Sequence, residues 1–315
     1  MFKVPSKIFS IGDYKGTHHQ IYFCGVRVRI MKSSIKVKKQ QSPYAEYKKN
    51  NVDITSLPPA TGQIRDVQLS NLELLKELDY VCKKNNLQYW LDFGTLIGAI
   101  RHKGFIPWDD DIDTGMMISE HDKLLEVFDR DKRNPDVYIK RVYLTYTTNK
   151  RWITRVKHKK NDHLFVDIFP YYSYGKCLDV SEQVRLTKEM REYREKYMAE
   201  HKPKTEKDIY YYNKIIQENL ITAPQNIEGD TSDLIWGTEF CHSWHNWIHP
   251  RNWIFPLREC DFEGLKMPCP NKYDEYLHDV YGDYMSYPKK IGIGHNMYKT
   301  FTNEEITVIK DLIGE

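Results

Sequence analysis

Apolar residues between Ile64 and Val81 recur at intervals of three to five positions, and this spacing predicts one long amphipathic helix. Two asparagines, Asn85 and Asn86, follow the last apolar position. Asparagine tolerates the left-handed conformation in which many helices end. The pattern therefore predicts a helix over 64–86 with one buried face.

Shorter apolar runs after this helix alternate with turn residues and predict strands. The predicted strands are 89–93, 111–118, 137–147, 151–158 and 163–169. Further helices are predicted over 119–128, 181–201, 204–220, 273–281 and 303–313. This order predicts an α/β (α+β) fold, a mixed sheet with flanking helices and an irregular, aromatic-rich C-terminal part.

The first fifty residues differ from the rest in charge. They hold eleven Lys and Arg against two Asp and Glu, whereas the remainder holds 36 basic and 42 acidic residues. Two short apolar segments, 21–23 and 26–30, flank Cys24-Gly25 and predict a hairpin. We therefore predict a basic arm over 1–55 and a main domain over 56–315, with a charged helical insertion at about 180–220.

Composition narrows the class of protein. The chain has 315 residues, a mean hydropathy of −0.67 and no run of eighteen apolar residues, which argues against a transmembrane helix. The N-terminus lacks the apolar core of a signal peptide, and six Cys without a C-x-x-C pair do not indicate a secreted disulfide framework. We expect a cytoplasmic protein. The acidic main domain argues against nucleic acid as a partner.

An acidic motif, Trp108-Asp109-Asp110-Asp111-Ile112-Asp113, is the strongest indication of chemistry. On an extended chain Asp109, Asp111 and Asp113 point to the same face, where their charges repel one another. A divalent cation such as Mg²⁺ or Mn²⁺ relieves that repulsion and binds through carboxylates and substrate phosphates. The structural alternative is an acidic turn in solvent, which the neighbouring apolar segments make less favourable.

A Gly-Thr pair, Gly94-Thr95, stands between a predicted strand and a short helix and suits phosphate binding. Three basic residues, Arg101, His102 and Lys103, lie between this turn and the acidic motif, where they would neutralise phosphate charge. The alternative for these three is a solvated basic loop.

Asp167 lies inside the apolar strand Leu164–Phe169. A buried carboxylate is costly unless it is paired or ligates a metal, so Asp167 is a candidate third carboxylate of the site. The alternative is a structural Asp that is satisfied by an arginine or a backbone N–H.

The amino-acid sequence of these segments resembles that of the LicD family, which includes bacterial phosphocholine transferases and is related to fukutin-type ribitol-phosphate transferases. The resemblance covers roughly residues 64–290 and departs from the family in the first fifty residues and at 181–220. The similar segments are Tyr89–Asp113, Phe165–Pro170, Phe255–Leu257, Phe262–Gly264, Met267–Pro268 and Tyr276–Met285.

The resemblance implies a nucleotidyltransferase-like fold and transfer of a phospho-alcohol from a CDP-alcohol to a sugar hydroxyl, with release of CMP. It implies that Asp111 and Asp113 hold two metal ions, with Asp109 in support. Asp167 would complete the metal site and take the acceptor proton, and Gly94 and Thr95 would cradle phosphate. Phosphocholine is the first candidate group, with glycerol and ribitol phosphate as others.

Two other functions stay open at this point: a nucleotidyltransferase that moves NMP onto a small acceptor, and a catalytically idle glycan-binding module. The expected acceptor is a cell-surface glycan, such as lipopolysaccharide, teichoic acid or capsule, or its lipid-linked precursor. The basic arm is a candidate for peripheral contact with anionic lipid at the inner face of the membrane.

A second, weaker metal hypothesis concerns Cys241, His245 and His249, which fall on one face if 238–248 is helical. That spacing can bind zinc but matches no standard zinc motif, and the interleaved tryptophans fit a packed core equally well.

Overall fold

The computed structural model describes residues 9–14, 18–23, 26–31, 44–144, 151–174, 179–202, parts of 204–215, 233–236, 248–291 and 301–315. The chain divides into two units, Met1–Gln41 and Ser42–Glu315. The second unit therefore includes the first helix, α1 (Tyr44–Lys49), and the turn Ile54–Ser56, both ahead of the predicted start of the main domain.

The N-terminal unit contains a three-stranded antiparallel sheet. Its strands are β1 (Phe9–Tyr14), β2 (His18–Phe23) and β3 (Val26–Met31). Phe23 pairs with Val26 across Cys24-Gly25, which confirms the predicted hairpin. The preceding strand β1 pairs with β2 through its whole length and was absent from the sequence-based prediction.

Helix α2 (Gln63–Lys84) confirms the predicted long amphipathic helix. Its apolar stripe is fully buried at Val67, Leu75 and Val81, and burial of each such side chain contributes about 1.5–3 kcal/mol. The helix ends at Asn85, whose N–H donates to the carbonyl of Val81, and Asn86 follows with a positive φ of 53°. The two asparagines thus end the helix as expected.

A seven-stranded mixed sheet forms the centre of the second unit. Its strands are β4 (Trp90–Leu91), β5 (Asp113–Met117), β6 (Val137–Leu144), β7 (Arg151–His158), β8 (Asn161–Tyr174), β9 (Asp233–Trp236) and β10 (Ile248–His249). Strand β8 pairs in parallel with β5 and antiparallel with β7 and β9. The remaining pairs, β4–β5, β6–β7 and β9–β10, are antiparallel, which confirms the predicted mixed sheet.

Helices and a hairpin flank this sheet. They are α3 (Phe93–His102), α4 (Ile118–Asp131), α5 (Val180–His201), α6 (Arg251–Ile254), the hairpin of β11 (Arg258–Phe262) and β12 (Leu265–Cys269), α7 (Tyr273–Tyr281) and α8 (Asn303–Ile313). Helices α2 and α4 pack on β8 and on each other, while α3 contacts β5 and β11. Most of the predicted 204–220 helix lies outside the described residues.

Two local predictions around the acidic motif are wrong. The strand predicted over 89–93 is only Trp90–Leu91, because Asp92 already caps α3. Helix α4 begins at Ile118, and its N-cap, Met117, makes no side-chain bond, so Ser119 is not the cap. Among the described residues, no helix is both long and apolar enough to cross a membrane.

Gly115 in β5 is required by the ring of Trp90, its register partner on β4. A Cβ at Gly115 would lie 2.3 Å from the indole Cε2, and Trp90 is fully buried between Tyr171 and Phe255. We expect Gly115→Ala to lower the free energy of unfolding by about 1–3 kcal/mol, because the core cannot take the extra methyl group without displacing the indole.

Urea denaturation measures this loss, with Ser119→Ala at the exposed start of α4 as control. Adding Trp90→Phe should recover part of the stability of Gly115→Ala. An unchanged denaturation midpoint in the single variant would show that the strand adjusts without cost.

Candidate active site

The start of α3 is fixed to the sheet by Asp92. Its carboxylate accepts the N–H of Phe93 at 2.9 Å, and its own backbone N–H donates to the carbonyl of Asp113 at 3.0 Å. These two bonds set the N-terminus of α3 beside the first residue of β5. The Gly-Thr turn and the acidic motif therefore meet at one edge of the sheet.

The Asp92 carboxylate is fully buried and is held by two tyrosines from distant parts of the chain. The hydroxyl of Tyr171 donates to Oδ2 at 2.7 Å and that of Tyr276 donates to Oδ1 at 2.6 Å. Burial raises the pKa of Asp92, and the two hydroxyls partly offset this effect. Sequence reasoning missed Asp92, although an Asp directly before the first residue of a predicted short helix is a recognisable N-cap signal.

Helix α2 anchors the backbone of the acidic motif. Gln68 donates from its amide to the carbonyl of Asp109 at 2.6 Å, and Asn71 donates to that of Asp110 at 2.8 Å. Both amide side chains are buried. The loop is thus held through its carbonyls.

The acidic motif places its carboxylates close together. Oxygens of Asp109, Asp110 and Asp111 lie within 4.8 Å of one another. Burial and the neighbouring Asp111, Asp167 and Asp109 raise the pKa of Asp113 well above its ordinary value. Asp110, which is almost fully buried, was not among the predicted ligands, because period-two alternation assigned it to the opposite face.

The two residues of the predicted phosphate turn have different surroundings. A Cβ at Gly94 would lie 3.0 Å from Oδ2 of Asp109, so glycine allows the helix start to approach the acidic loop. Thr95 is buried, and its Oγ1 accepts the backbone N–H of Asp113 at 2.8 Å. Thr95 thus holds β5 in place.

The three basic candidates, Arg101, His102 and Lys103, also differ in burial and charge. The guanidinium of Arg101 is buried, donates to the carbonyl of Tyr284 and lies 5.9 Å from the ring centroid of Trp108. Burial lowers the pKa of Arg101 to about 10, so it remains charged at neutral pH. Lys103 is exposed, has a left-handed backbone conformation and ends α3.

His102 is neutral at neutral pH. Its Nε2 accepts a hydrogen bond from Nε of Arg101 at 2.9 Å. Burial and the charge of Arg101 lower the pKa of His102 to about 4. Of the three basic candidates, Arg101 is therefore the one that brings a buried positive charge to this edge of the sheet.

Asp167 lies beside Asp113, because the two are register partners on the parallel strands β8 and β5. It is also paired with Arg155 of β7, whose Nε donates to Oδ1 at 2.6 Å and whose terminal nitrogen donates to Oδ2 at 3.1 Å. Asp167 thus lies next to Asp113 and is paired with an arginine, as in the structural alternative raised from the sequence, and its role as a third carboxylate of the site stays a prediction.

An open pocket of about 420 Å³ lies against these carboxylates. Its lining residues are Gly94, Ile97, Arg101, Ile106, Trp108, Asp109, Asp111, Asp113, Tyr281, Asp283, Tyr284, Ser286 and Pro288. Asp167, Thr95, His102 and Lys103 are not among them. The last residue of α7, Tyr281, and the segment after it supply five of the lining residues, and sequence reasoning assigned them no role.

The donor set fits a hard divalent cation. Carboxylate oxygens are the ligands that Mg²⁺ and Mn²⁺ prefer, and here several lie within a few ångströms on one pocket wall. Burial first, and then the neighbouring carboxylates, raise the pKa of Asp113, and a bound cation would oppose both effects. Asp109 and Asp111 belong both to the close cluster and to the pocket lining, so they are the first residues that would hold such an ion. Asp113 lines the same pocket, and Asp110 belongs to the cluster only.

The zinc hypothesis falls mostly outside the described residues, since Cys241 and His245 are not among them. His249 is described. It is buried, with Nδ1 3.3 Å from an oxygen of Asp279 and its ring packed edge-on to Tyr276. The hypothesis stays a prediction.

Comparison with known proteins gives a family for this site. Residues 86–204 match the family described as LicD/FKTN/FKRP, nucleotidyltransferase domain. The lipopolysaccharide cholinephosphotransferase LicD of Haemophilus influenzae is 28% identical over 246 residues, which are 71% of this chain and 92% of that protein. The ribitol 5-phosphate transferase FKRP of Mus musculus is 32% identical over 92 residues, 29% of this chain and 18% of that protein.

The matching family is described as a nucleotidyltransferase domain, and the mixed α/β sheet with its acidic pocket is consistent with that class. The match of residues 86–204 to the LicD family confirms the resemblance that the motif between Tyr89 and Asp113 indicated.

The neutral His102 gives the protein a pH-dependent stability. Its ordinary pKa is 6.5 and its folded-state pKa is about 4, so between these values the unfolded chain binds more protons. The contribution of His102 to stability therefore falls as the pH drops from 6.5 to 4. His102→Gln keeps an acceptor for Arg101 and removes the titrating group.

We expect wild type and His102→Gln to have similar unfolding midpoints in urea at pH 7.5. At pH 4.5 the variant should be the more stable of the two. A difference between them that is the same at both pH values would show that His102 is not the origin of acid sensitivity.

Proposed function

We propose that this protein transfers a phospho-alcohol from a CDP-alcohol to a sugar hydroxyl, with Mg²⁺ or Mn²⁺. The main support for this proposal is a pocket lined by Asp109, Asp111, Asp113 and Arg101, in a chain whose residues 86–204 match the LicD family. The names of the two relatives, a cholinephosphotransferase and a ribitol 5-phosphate transferase, support this class of reaction. Phosphocholine is the first candidate, because the LicD relative matches the larger share of the chain.

The reaction replaces one phosphorus–oxygen bond by another. The acceptor hydroxyl oxygen attacks the phosphorus that bears the alcohol, and the bond from that phosphorus to the bridging oxygen breaks. CMP leaves with the bridging oxygen, and the hydroxyl proton passes to a carboxylate and then to water. Such transfers depend on positioning and on neutralising charge more than on covalent help from the protein.

The pocket residues divide this work. Arg101 is a buried, permanently charged donor that would bind a phosphate oxygen of the CDP-alcohol. Gly94 lets the start of α3 approach the same phosphates. Asp167, held beside Asp113, would orient the acceptor hydroxyl and take its proton, a role typically worth about 10²–10⁴-fold in rate.

A bound divalent cation would neutralise phosphate charge in this pocket. Asp111 and Asp113 would hold it, with Asp109 alongside. Without a cation, three carboxylates on one wall would repel the diphosphate, because like charges at short range disfavour binding.

Incubation with a panel of CDP-alcohols, Mg²⁺ or Mn²⁺ and a sugar acceptor tests the proposal. We expect release of CMP and formation of a phosphodiester on the sugar. Asp111→Asn and Asp113→Asn should each lower turnover by more than about a hundredfold, because each removes a charged ligand and keeps the side-chain shape. The melting temperature should stay equal or rise, since repulsion among the carboxylates is relieved.

Asp129→Asn, at an exposed position of α4 that pairs with Lys132, is the matched control and should keep wild-type turnover. Turnover within tenfold of wild type in Asp113→Asn would contradict the site. Release of the alcohol phosphate with CMP joined to the acceptor would instead indicate nucleotidyl transfer, and binding of sugar without any turnover would indicate a glycan-binding module.

We further propose that the acceptor is a glycan on a lipid carrier and that the basic arm contacts anionic membrane. Residues 1–41 hold nine Lys and Arg against one acidic residue. Each basic residue near an anionic surface contributes about 1 kcal/mol. We expect replacement of Lys32, Lys36, Lys38 and Lys39 by Gln in the full chain to weaken binding to phosphatidylserine vesicles by at least about tenfold.

Vesicle sedimentation at low and high salt measures this, since salt screens exposed charges. In the control variant, four lysines of the second unit are replaced by Gln, so the net charge changes by the same amount. These lysines are Lys76, Lys83, Lys123 and Lys266. Turnover on a soluble sugar acceptor should be unchanged in the arm variant. Equal loss of vesicle binding in both variants would show that only net charge matters.

A further inference from the structure

Three ionisable side chains form a row across the central sheet. Asp167 of β8 is the register partner of Arg155 on β7 and of Asp113 on β5. Register partners on neighbouring strands present their side chains on the same face of a sheet, about 5 Å apart. The row therefore begins with a cation at Arg155 and continues with carboxylates at Asp167 and Asp113.

The contact between Arg155 and Asp167 engages both carboxylate oxygens. The two nitrogen–oxygen distances are 2.6 and 3.1 Å, and the side chains are only 18% and 8% exposed. The guanidinium carbon also lies 3.9 Å from the ring centroid of Phe165, which fixes the plane of the arginine. A bidentate pair of this kind is among the stronger charge-assisted contacts in proteins.

The carboxylates of the site thus fall into two groups. Asp109, Asp111 and Asp113 line the pocket, whereas Asp167 does not and has both oxygens on Arg155. A divalent cation that recruited Asp167 would have to displace the guanidinium, and it would meet the positive charge of Arg155 as it approached.

We propose that Arg155 is a positioning residue that withholds Asp167 from the divalent cation and holds it in place for the acceptor hydroxyl. The inference rests on the proposed function for the identity of the acceptor, but the competition between Arg155 and a cation can be measured without any substrate. Arg155 sets how many carboxylates the cation meets. The pairing of Arg155 with Asp167 also explains how four carboxylates can lie at one sheet edge and act on two different substrates. Asp109, Asp111 and Asp113 would serve the cation and the CDP-alcohol, and Asp167 would serve the acceptor.

Calorimetric titration of the full chain with Mn²⁺ alone tests the competition. Removing the guanidinium frees Asp167 to bind Mn²⁺ and removes a repelling charge. We therefore expect Arg155→Met to bind Mn²⁺ at least about tenfold more tightly than wild type. Adding Asp167→Asn to Arg155→Met should remove this gain. A merely structural role of Arg155 would predict weaker binding of Mn²⁺.

Arg133→Met is the matched control. Arg133 binds Glu77, whose side chain is 9% exposed, against 8% for that of Asp167, and Arg133 is not among the lining residues of the acidic pocket. Its loss should lower the melting temperature and leave Mn²⁺ affinity within about twofold of wild type. If Arg155→Met does not fold, Arg155→Lys serves, because lysine keeps the charge and loses the bidentate contact. Its Mn²⁺ affinity should lie above that of wild type.

Turnover gives the second measurement. With a CDP-alcohol and a sugar acceptor, Arg155→Met should lower kcat at least tenfold and leave the KM for the CDP-alcohol within about threefold, and Arg155→Lys should recover part of kcat. Mn²⁺ binding by the folded variants that is no tighter than wild type, or no binding by any of them, would overturn the inference. Absence of CMP release from wild type would instead contradict the proposed function, and the Mn²⁺ titration would still decide the role of Arg155.

Discussion

Repulsion between carboxylates crowded at one sheet edge is the constraint on which the rest of the site depends. Asp92, directly after β4, is followed across the sheet by Asp113 on β5 and Asp167 on β8, and the acidic loop adds Asp109 and Asp111. The protein stabilises the outer two by separate means. Tyrosine hydroxyls bind Asp92 and a guanidinium binds Asp167, whereas Asp109, Asp111 and Asp113 line the pocket.

The contacts that place the acidic loop use its backbone. Gln68 and Asn71 of α2 bind the carbonyls of Asp109 and Asp110, and Thr95 accepts the N–H of Asp113. A loop fixed through its backbone is held rigidly while its charged oxygens point to the pocket, which is the arrangement that ligand binding requires. The buried face of α2 therefore serves both the core and the site.

Local signals in the sequence predicted most of the helices and the acidic motif. Helices α2, α7 and α8 begin and end within two residues of the predicted positions, because apolar periodicity and capping residues are local. The sequence predicted a strand over 89–93 where β4 has only two residues. The cap at Asp92 lies between apolar residues, as a strand residue would, and could not be told apart from one. The partners of the carboxylates were missed for a different reason. Tyr276 lies 184 residues from Asp92, and the pairing of Arg155 with Asp167 depends on the register of β7.

The row of side chains from Arg155 to Asp113 also suggests where the two substrates of the proposed reaction would bind. The pocket with Arg101 lies on the α3 and α7 side of Asp113, whereas Asp167 and Arg155 lie on its β8 and β7 side. A donor diphosphate beside Arg101 would present its reacting phosphorus near Asp113, and an acceptor hydroxyl beside Asp167 would reach that phosphorus from the β8 side. Transfer between oxygens that lie roughly in line requires this separation. The in-register strand pairing that crowds the carboxylates would thus also separate the two substrates of the proposed reaction.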